Sequence, residues 1–208
     1  MATYELNLPL KEEDVTKLRI GDMVYLTGPA FTCRSMLHKY MLDEKHEMNV
    51  DPAKYNMLIH TGPIMHRNED GSWKMLSFMP TSSIRFEKWG PEAIEKWGLR
   101  MILGKTSMGP ASTKVMMERK CVHISPQCVS PNTWIDCITV EGVKNFKELG
   151  SIEATWLLKL NRIGPFVVDI DCEGNNLFDQ LMEDRRQRVK AAYKKLGIPE
   201  DLKYTKLY

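Results

Sequence analysis

The sequence predicts an α/β domain, one sheet with helices packed on it, and three recurring features predict it. Short apolar runs such as "MVYL", "NMLIH", "LRMIL" and "KCVHIS" have the length of strands. Turns built of Gly, Pro or small hydroxyl residues follow them. Between the turns lie stretches whose apolar residues recur at three- and four-residue intervals, which is the helical period.

In chain order, "DVTKLRIGDMVYLTG" opens polar, and its "MVYL" reads as a strand closed by a tight turn at Gly28-Pro29. "TCRSMLHKYMLDEK" has apolar residues at 33, 36, 37, 40 and 41, so a helix follows. The turn then delivers Thr32, Cys33 and Arg34 to the helix N-terminus, where exposed N–H groups and the positive dipole end favour an anion. "YNMLIHTGPIM" is a strand broken at Gly62-Pro63, and "HRNEDGSWKMLSFM" is a hairpin turning around Asn68 to Ser72. Pro80, Thr81, Ser82 and Ser83 fit poorly in a central strand, and the hydroxyls suit N-caps for the helical "SIRFEKWGPEAIEKWG", interrupted at Gly90-Pro91. In "LRMILGKTSMGPAS" a strand ends at Gly104, which allows backbone freedom, and Lys105 precedes the helix "ASTKVMMERKC". "KCVHIS" and "TWIDCITV" are further strands, and "EATWLLKLNRIGPFVVDIDCEGNN" is a pair with a turn at Gly164-Pro165. A charged helix, "DQLMEDRRQRVKAAYKKLG", closes the chain.

The 208 residues suit one domain with a charged helical tail over 179–208, enough to bury about 70 % of the unfolded surface. Basic and acidic residues, 29 against 27, nearly cancel. No broad field is available to hold nucleic acid or an anionic membrane, so any anion site is local. The N-terminal stretch has no apolar signal region and no apolar run is long enough to span a bilayer, which predicts a soluble cytoplasmic protein. Cysteines at 33, 121, 128, 137 and 172 are odd in number and irregularly spaced, so neither a disulfide framework nor a C-x-x-C metal knuckle is expected. Cys121, Cys128 and Cys137 are near enough in sequence to approach one another, but lack the tight pairs of a zinc or cluster site. Free thiols and no metal site on this chain are the expectation.

Arg34, Thr81, Arg85 and Lys105 each follow an apolar strand, and one edge of the sheet would gather them, where α/β folds keep their ligands. Two guanidiniums and an ammonium suit a small dicarboxylate, since Arg grips a carboxylate in a bidentate fork and Lys adds a point charge. Thr81 becomes a usable base only if nearby cations such as Arg85 or Lys105 stabilise its alkoxide. The plainer reading makes Thr81 an N-cap and the charges solvated. His60 and His38 read as hydrogen-bonded core residues. "DIDCEGNN" lacks the ligand period of a calcium loop.

The blocks "DMVYLTGPAFTCRSMLHK", "HTGPIMHRNEDGSWKMLSFMPTSSIR", "LGKTSMG", "LGSIEATW" and "GPFVVDIDCEGNNL", in order over about residues 18–178, resemble the β subunit or C-terminal domain of the class I iron–sulfur hydro-lyases, tartrate dehydratase and class I fumarase. The resemblance implies a swivelling β/β/α domain like the mobile domain of aconitases. It implies a partner α subunit that carries a four-iron, four-sulfur cluster on its own cysteines, and a homodimer of this domain within a heterotetramer. By the family's T-x-R-D, G-P-T-T-x-x-R and G-K-G-G-M-G blocks, Arg34, Arg85 and Lys105 would bind substrate and Thr81 would be the base. Met79, Ser82, Ser35, Thr106 and Ser107 depart from those blocks, which changes the loop and leaves two alternatives beside dehydration of malate or tartrate: the same chemistry on another dicarboxylate, such as a methylated one, or a dicarboxylate-binding or scaffolding paralogue without turnover.

Overall fold

A computed structural model describes residues 1–127, 130–199 and 201–202. The chain forms two compact units, Met1–Asn176 and Leu177–Tyr208.

The first unit is mixed α/β. Its strands are β1 (Thr3–Asn7), β2 (Met23–Cys33), β3 (Met57–His60), β4 (Ile64–Arg67), β5 (Trp73–Ser77), β6 (Met101–Leu103), β7 (Val122–Pro126), β8 (Ile138–Lys144) and β9 (Thr155–Ile170). Helices α1 (Glu12–Thr16), α2 (Ser35–His38, continued by a π turn to Asp43), α3 (Gly90–Lys96), α4 (Pro110–Arg119) and α5 (Phe146–Glu153, kinked at Gly150) connect them. Seven strands form one sheet in the order β1-β2-β3-β6-β7-β9-β8, and β9 also pairs with β2. The hydrogen-bonded path from β2 through β3, β6, β7 and β9 therefore returns to β2 and closes a ring of strands.

Period-2 alternation divides the apolar residues between two cores. Met57 and Ile59 of β3, with Met101 and Leu103 of β6, join Trp156, Leu158 and Phe166 of β9 in one. Leu58 and Ile102, between them in sequence, join Leu37 of α2, Ile94 of α3 and Met116 of α4 in the other. Strands buried on both faces read as unbroken apolar runs, which is why "NMLIH" and "LRMIL" show no alternation. Cys121 and Cys172 are buried and burial raises their thiol pKa, that of Cys172 to about 11.

The predicted hairpin is present, β4 pairing antiparallel with β5 across residues 68–72. Two predicted turns are not. β2 continues through Gly28-Pro29 to Cys33, and β9 runs as one strand through Gly164-Pro165. At both places the strands bend rather than end. The β2–β9 register shifts between Leu26 and Gly28, and a Cβ on Gly28 would lie 2.6 Å from Leu8 O. A glycine there lets another backbone approach while β2 stays paired with β9 on both sides of the shift. β1 and α1 went unpredicted because each is only five residues long and largely polar, and α5 because Gly150 interrupts its short apolar pattern. No helix among the described residues is long and apolar enough to cross a membrane.

The second unit contains α6 (Leu177–Leu196), the predicted charged helix, with an i,i+4 pair of Arg188 Nε and Asp184 Oδ1 at 2.8 Å.

Candidate functional site

β2, β3, β6 and β7 are parallel neighbours, so their C-terminal ends lie along one edge. Arg34 follows β2 directly, His60 ends β3, and Lys105 stands two residues past β6. The Pro80–Arg85 segment is laid across these ends by single bridges, Thr61 with Pro80 and Ser82 with Lys105. One cleft of about 220 Å³ is consequently lined by Arg34, Met79, Pro80, Thr81, Ser82, Arg85 and Lys105. All four residues singled out from the sequence share it.

Backbone hydrogen bonds fix the loop. Thr81 N donates to His60 O at 2.5 Å, Lys105 N to Thr81 O at 3.0 Å, and Ser83 N to Lys105 O at 2.9 Å. Thr61 Oγ1 donates to Met79 O at 2.8 Å. Ser82 occupies the N-cap position of the 3-10 turn Ser83–Phe86 without a side-chain capping bond. The expected capping role of these hydroxyls is therefore not filled: Thr81 lies before the turn, half-buried in the cleft wall.

Three cationic side chains face the cleft. Arg34 alone has a carboxylate partner, its Nε standing 3.6 Å from Glu153 Oε1, too long for a hydrogen bond, and that buried Nε has no hydrogen-bond partner. Among the described residues Arg85 and Lys105 have no carboxylate within ion-pair distance. Three cations less one carboxylate leave two positive charges, the complement of a small dianion.

The expected anion site at the N-terminus of α2 is corrected. α2 is a single turn, and its Met36 N–H donates to Glu153 Oε2 at 2.8 Å, so a carboxylate of the protein already takes that place. Thr32 is inside β2, where Trp156 N donates to its Oγ1 and that hydroxyl donates to Ala154 O. Cys33 is buried against His38, its Sγ 3.2 Å from Nδ1. Burial raises the Cys33 thiol pKa and lowers that of His38 to about 4. Glu153 was not singled out from the sequence. It lies in the block "LGSIEATW", where nothing local marks a carboxylate that reaches Arg34 from α5.

Gly104 is needed for space rather than for backbone freedom. A Cβ there would fall on Ser83 Oγ and within 3.2 Å of His123 Nε2. At Gly62 a Cβ would lie 2.7 Å from Arg34 Cδ, so that glycine makes room for the arginine stem. Thr106, where the resembled motif has Gly, keeps the left-handed conformation at φ 58. The β-branched side chain is held there at a cost in backbone strain, with its Oγ1 donating to Lys105 O at 2.5 Å.

No three metal-ligating side chains converge among the described residues: Cys121 and Cys172 are buried next to each other, with Cys172 Sγ 3.7 Å from Cys121 O, and Cys33 is buried against His38. Cys128, considered with Cys121 and Cys137, lies outside the described residues.

Residues 2–181 match the family described as Fumarase C-terminus. The chain is 34% identical over 188 residues to the L(+)-tartrate dehydratase subunit beta of Escherichia coli K12, covering 88% of this chain and 92% of that one. It is 32% identical over 185 residues to a putative fumarate hydratase class I of Geobacillus stearothermophilus, spanning 88% of this chain and 35% of that longer protein. A putative L(+)-tartrate dehydratase subunit beta of Methanocaldococcus jannaschii is 30% identical over 175 residues, covering 83% and 89%. A match over most of the length, with the residues of one cleft inside it, places this chain in the fumarase C-terminal family.

Proposed function

We propose that this chain is the β subunit of an iron–sulfur hydro-lyase that reversibly dehydrates a hydroxy-dicarboxylate, malate to fumarate or L-tartrate to oxaloacetate. The observation that carries the reading is the cleft itself: three cations, one of them paired, around a threonine hydroxyl at the ends of parallel strands. The names of the relatives, a tartrate dehydratase β subunit and a fumarate hydratase, supply the reaction class.

Arg34 and Arg85 would each take a substrate carboxylate in a bidentate fork, and Lys105 would hold a carboxylate or hydroxyl oxygen as a point charge. Binding both carboxylates fixes the carbon chain, which turns proton removal into an oriented, effectively unimolecular step. Thr81 Oγ1 would then take the proton from the carbon next to one carboxylate. The C–H electron pair becomes the C=C bond, and the hydroxyl leaves from the neighbouring carbon. A threonine alkoxide is usable only where cations stabilise it, and Arg85 and Lys105 line the same cleft. In this reading the four-iron, four-sulfur cluster belongs to a partner α subunit and supplies the Lewis acid for the hydroxyl. The unit Met1–Asn176 would be the swivelling domain that closes on it, within a cytoplasmic complex containing a pair of β subunits.

Met79 in the cleft wall favours a second substrate of the same chemistry, a dicarboxylate bearing a methyl group. Anaerobic co-expression with a cluster-bearing α chain, followed by ultraviolet assay on malate, L-tartrate and methylated analogues, tests the proposal. Turnover that needs both chains supports it. An intact cluster in the complex without turnover of any of these acids removes it.

A further inference from the structure

Beneath the cleft runs a buried polar chain that the proposed chemistry does not use. Asp169, His123, Ser83 and His60 are each no more than 1% exposed. His123 Nδ1 stands 2.5 Å from Asp169 Oδ1, His123 Nε2 stands 2.8 Å from Ser83 Oγ, and Ser83 Oγ stands 2.8 Å from His60 Nδ1. Ser125 Oγ donates to the other oxygen of Asp169.

With a carboxylate accepting at one end and each ring carrying a single proton, the donor and acceptor inventory gives the chain one direction. An ionised carboxylate only accepts, so His123 carries its proton on Nδ1 and donates it to Asp169. The neutral ring then accepts at Nε2, which takes the one proton of Ser83. Ser83 Oγ is left to accept, so His60 carries its proton on Nδ1. Burial, with His38 and His123 nearby, lowers the pKa of His60 well below the ordinary imidazole value and keeps that ring neutral. A nucleophilic reading of Ser, His and Asp does not apply, because Ser83 is inside the protein with its hydroxyl bracketed by two imidazoles.

Ser83 and His60 are also the two ends of the backbone ladder under the cleft. Ser83 N donates to Lys105 O, Lys105 N to Thr81 O, and Thr81 N to His60 O. The His60–Ser83 side-chain bond closes these three links into a ring of four residues, two of which carry the cleft's Thr81 hydroxyl and Lys105 ammonium. Gly104 is the gap through which Ser83 reaches His123.

We propose that the Asp169–His123–Ser83–His60 chain is a positioning device for the reaction, locking the ring that holds Thr81 over the cleft. This rests on the hydro-lyase reading for its kinetic consequence but not for its existence. Position of the base matters chiefly in the transition state. Arg34 is anchored separately, from Glu153 and against Gly62, and Lys105 has a flexible stem that re-aims. Loosening the ring therefore lowers kcat and spares KM.

Two experiments test it. First, in the complete α–β complex, Ser83→Ala and His60→Leu are compared with His60→Asn, whose amide nitrogen replaces the Nδ1–H donor. The first two should lower kcat about 10²-fold, the order of loss for a displacement near 1 Å, with KM within about threefold. His60→Asn should recover most of the loss. Unchanged kcat in Ser83→Ala, or equal losses in His60→Asn and His60→Leu, overturns the proposal. Second, nitrogen-15 spectra of the wild-type full chain read the ring tautomers without any turnover. Both His123 and His60 should be neutral Nδ1–H tautomers at pH 7, and an Nε2–H tautomer or an imidazolium at either position overturns the proposed chain. If the wild-type complex turns over no dicarboxylate, the hydro-lyase reading fails, and the tautomers still decide the buried chain.

Discussion

Arg34 Nε and Glu153 Oε1 face each other at 3.6 Å across the end of β2, with the same carboxylate accepting from Met36 N at 2.8 Å. Glu153 thus aims the guanidinium without occupying it. Glu153→Gln keeps the shape and an acceptor for Met36 N–H but removes the charge that orients Arg34. We expect kcat/KM to fall about tenfold, a loss near 1.4 kcal/mol of transition-state stabilisation. Steady-state kinetics of the complex check this, and an unchanged value would detach Glu153 from the site.

Arg85 is a cleft cation with no protein carboxylate to satisfy it among the described residues. Arg85→Met keeps the length of the side chain and removes a charge-assisted fork. KM should rise by on the order of 10-fold or more, since hydrogen bonds to charged groups contribute about 1.5–3 kcal/mol. Substrate titration of the variant decides it.

Thr106 holds φ 58, a conformation a β-branched residue adopts only under constraint. Thr106→Gly relieves that strain but adds freedom to the unfolded chain, and the balance should favour the folded state by about 1 kcal/mol. A higher urea midpoint with an unchanged m-value is the expected result.

How much of this was legible in the sequence follows from which interactions are local. The hairpin at residues 68–72, the α4 and α6 helices and the strand ends carrying Arg34 and Lys105 are written in short-range pattern. Gly28-Pro29 and Gly164-Pro165 were misread as turns because their meaning is tertiary: each lets a long strand bend where another backbone crosses within van der Waals distance. Arg34, Thr81, Arg85 and Lys105 could be named because hydroxyls and cations after apolar strands are conspicuous. Glu153, His123 and Asp169 could not, because an acid on a short helix or a polar residue within a strand acquires its partner only when distant elements meet.

His38 stacks on Phe86 at 5.1 Å and Trp89 at 5.6 Å, and burial lowers its pKa from 6.5 to about 4. The unfolded chain therefore binds a proton on His38 at higher pH than the folded chain does. Stability should be full above about pH 6.5 and fall as the pH drops toward 4, by up to about 3 kcal/mol from this residue. His60, with its pKa lowered in the same direction, adds to the same loss. Urea denaturation at pH 7 and pH 5 measures it, and His38→Gln should flatten the slope.

Thr81 carries the central claim, that its hydroxyl is the base of a dicarboxylate hydro-lyase. The most direct measurement is single-turnover and steady-state dehydration by the α–β complex of Thr81→Ala, at a cluster content equal to wild type. The account predicts a fall in kcat of about 10²-fold or more with substrate affinity little changed. Turnover near the wild-type rate would contradict it.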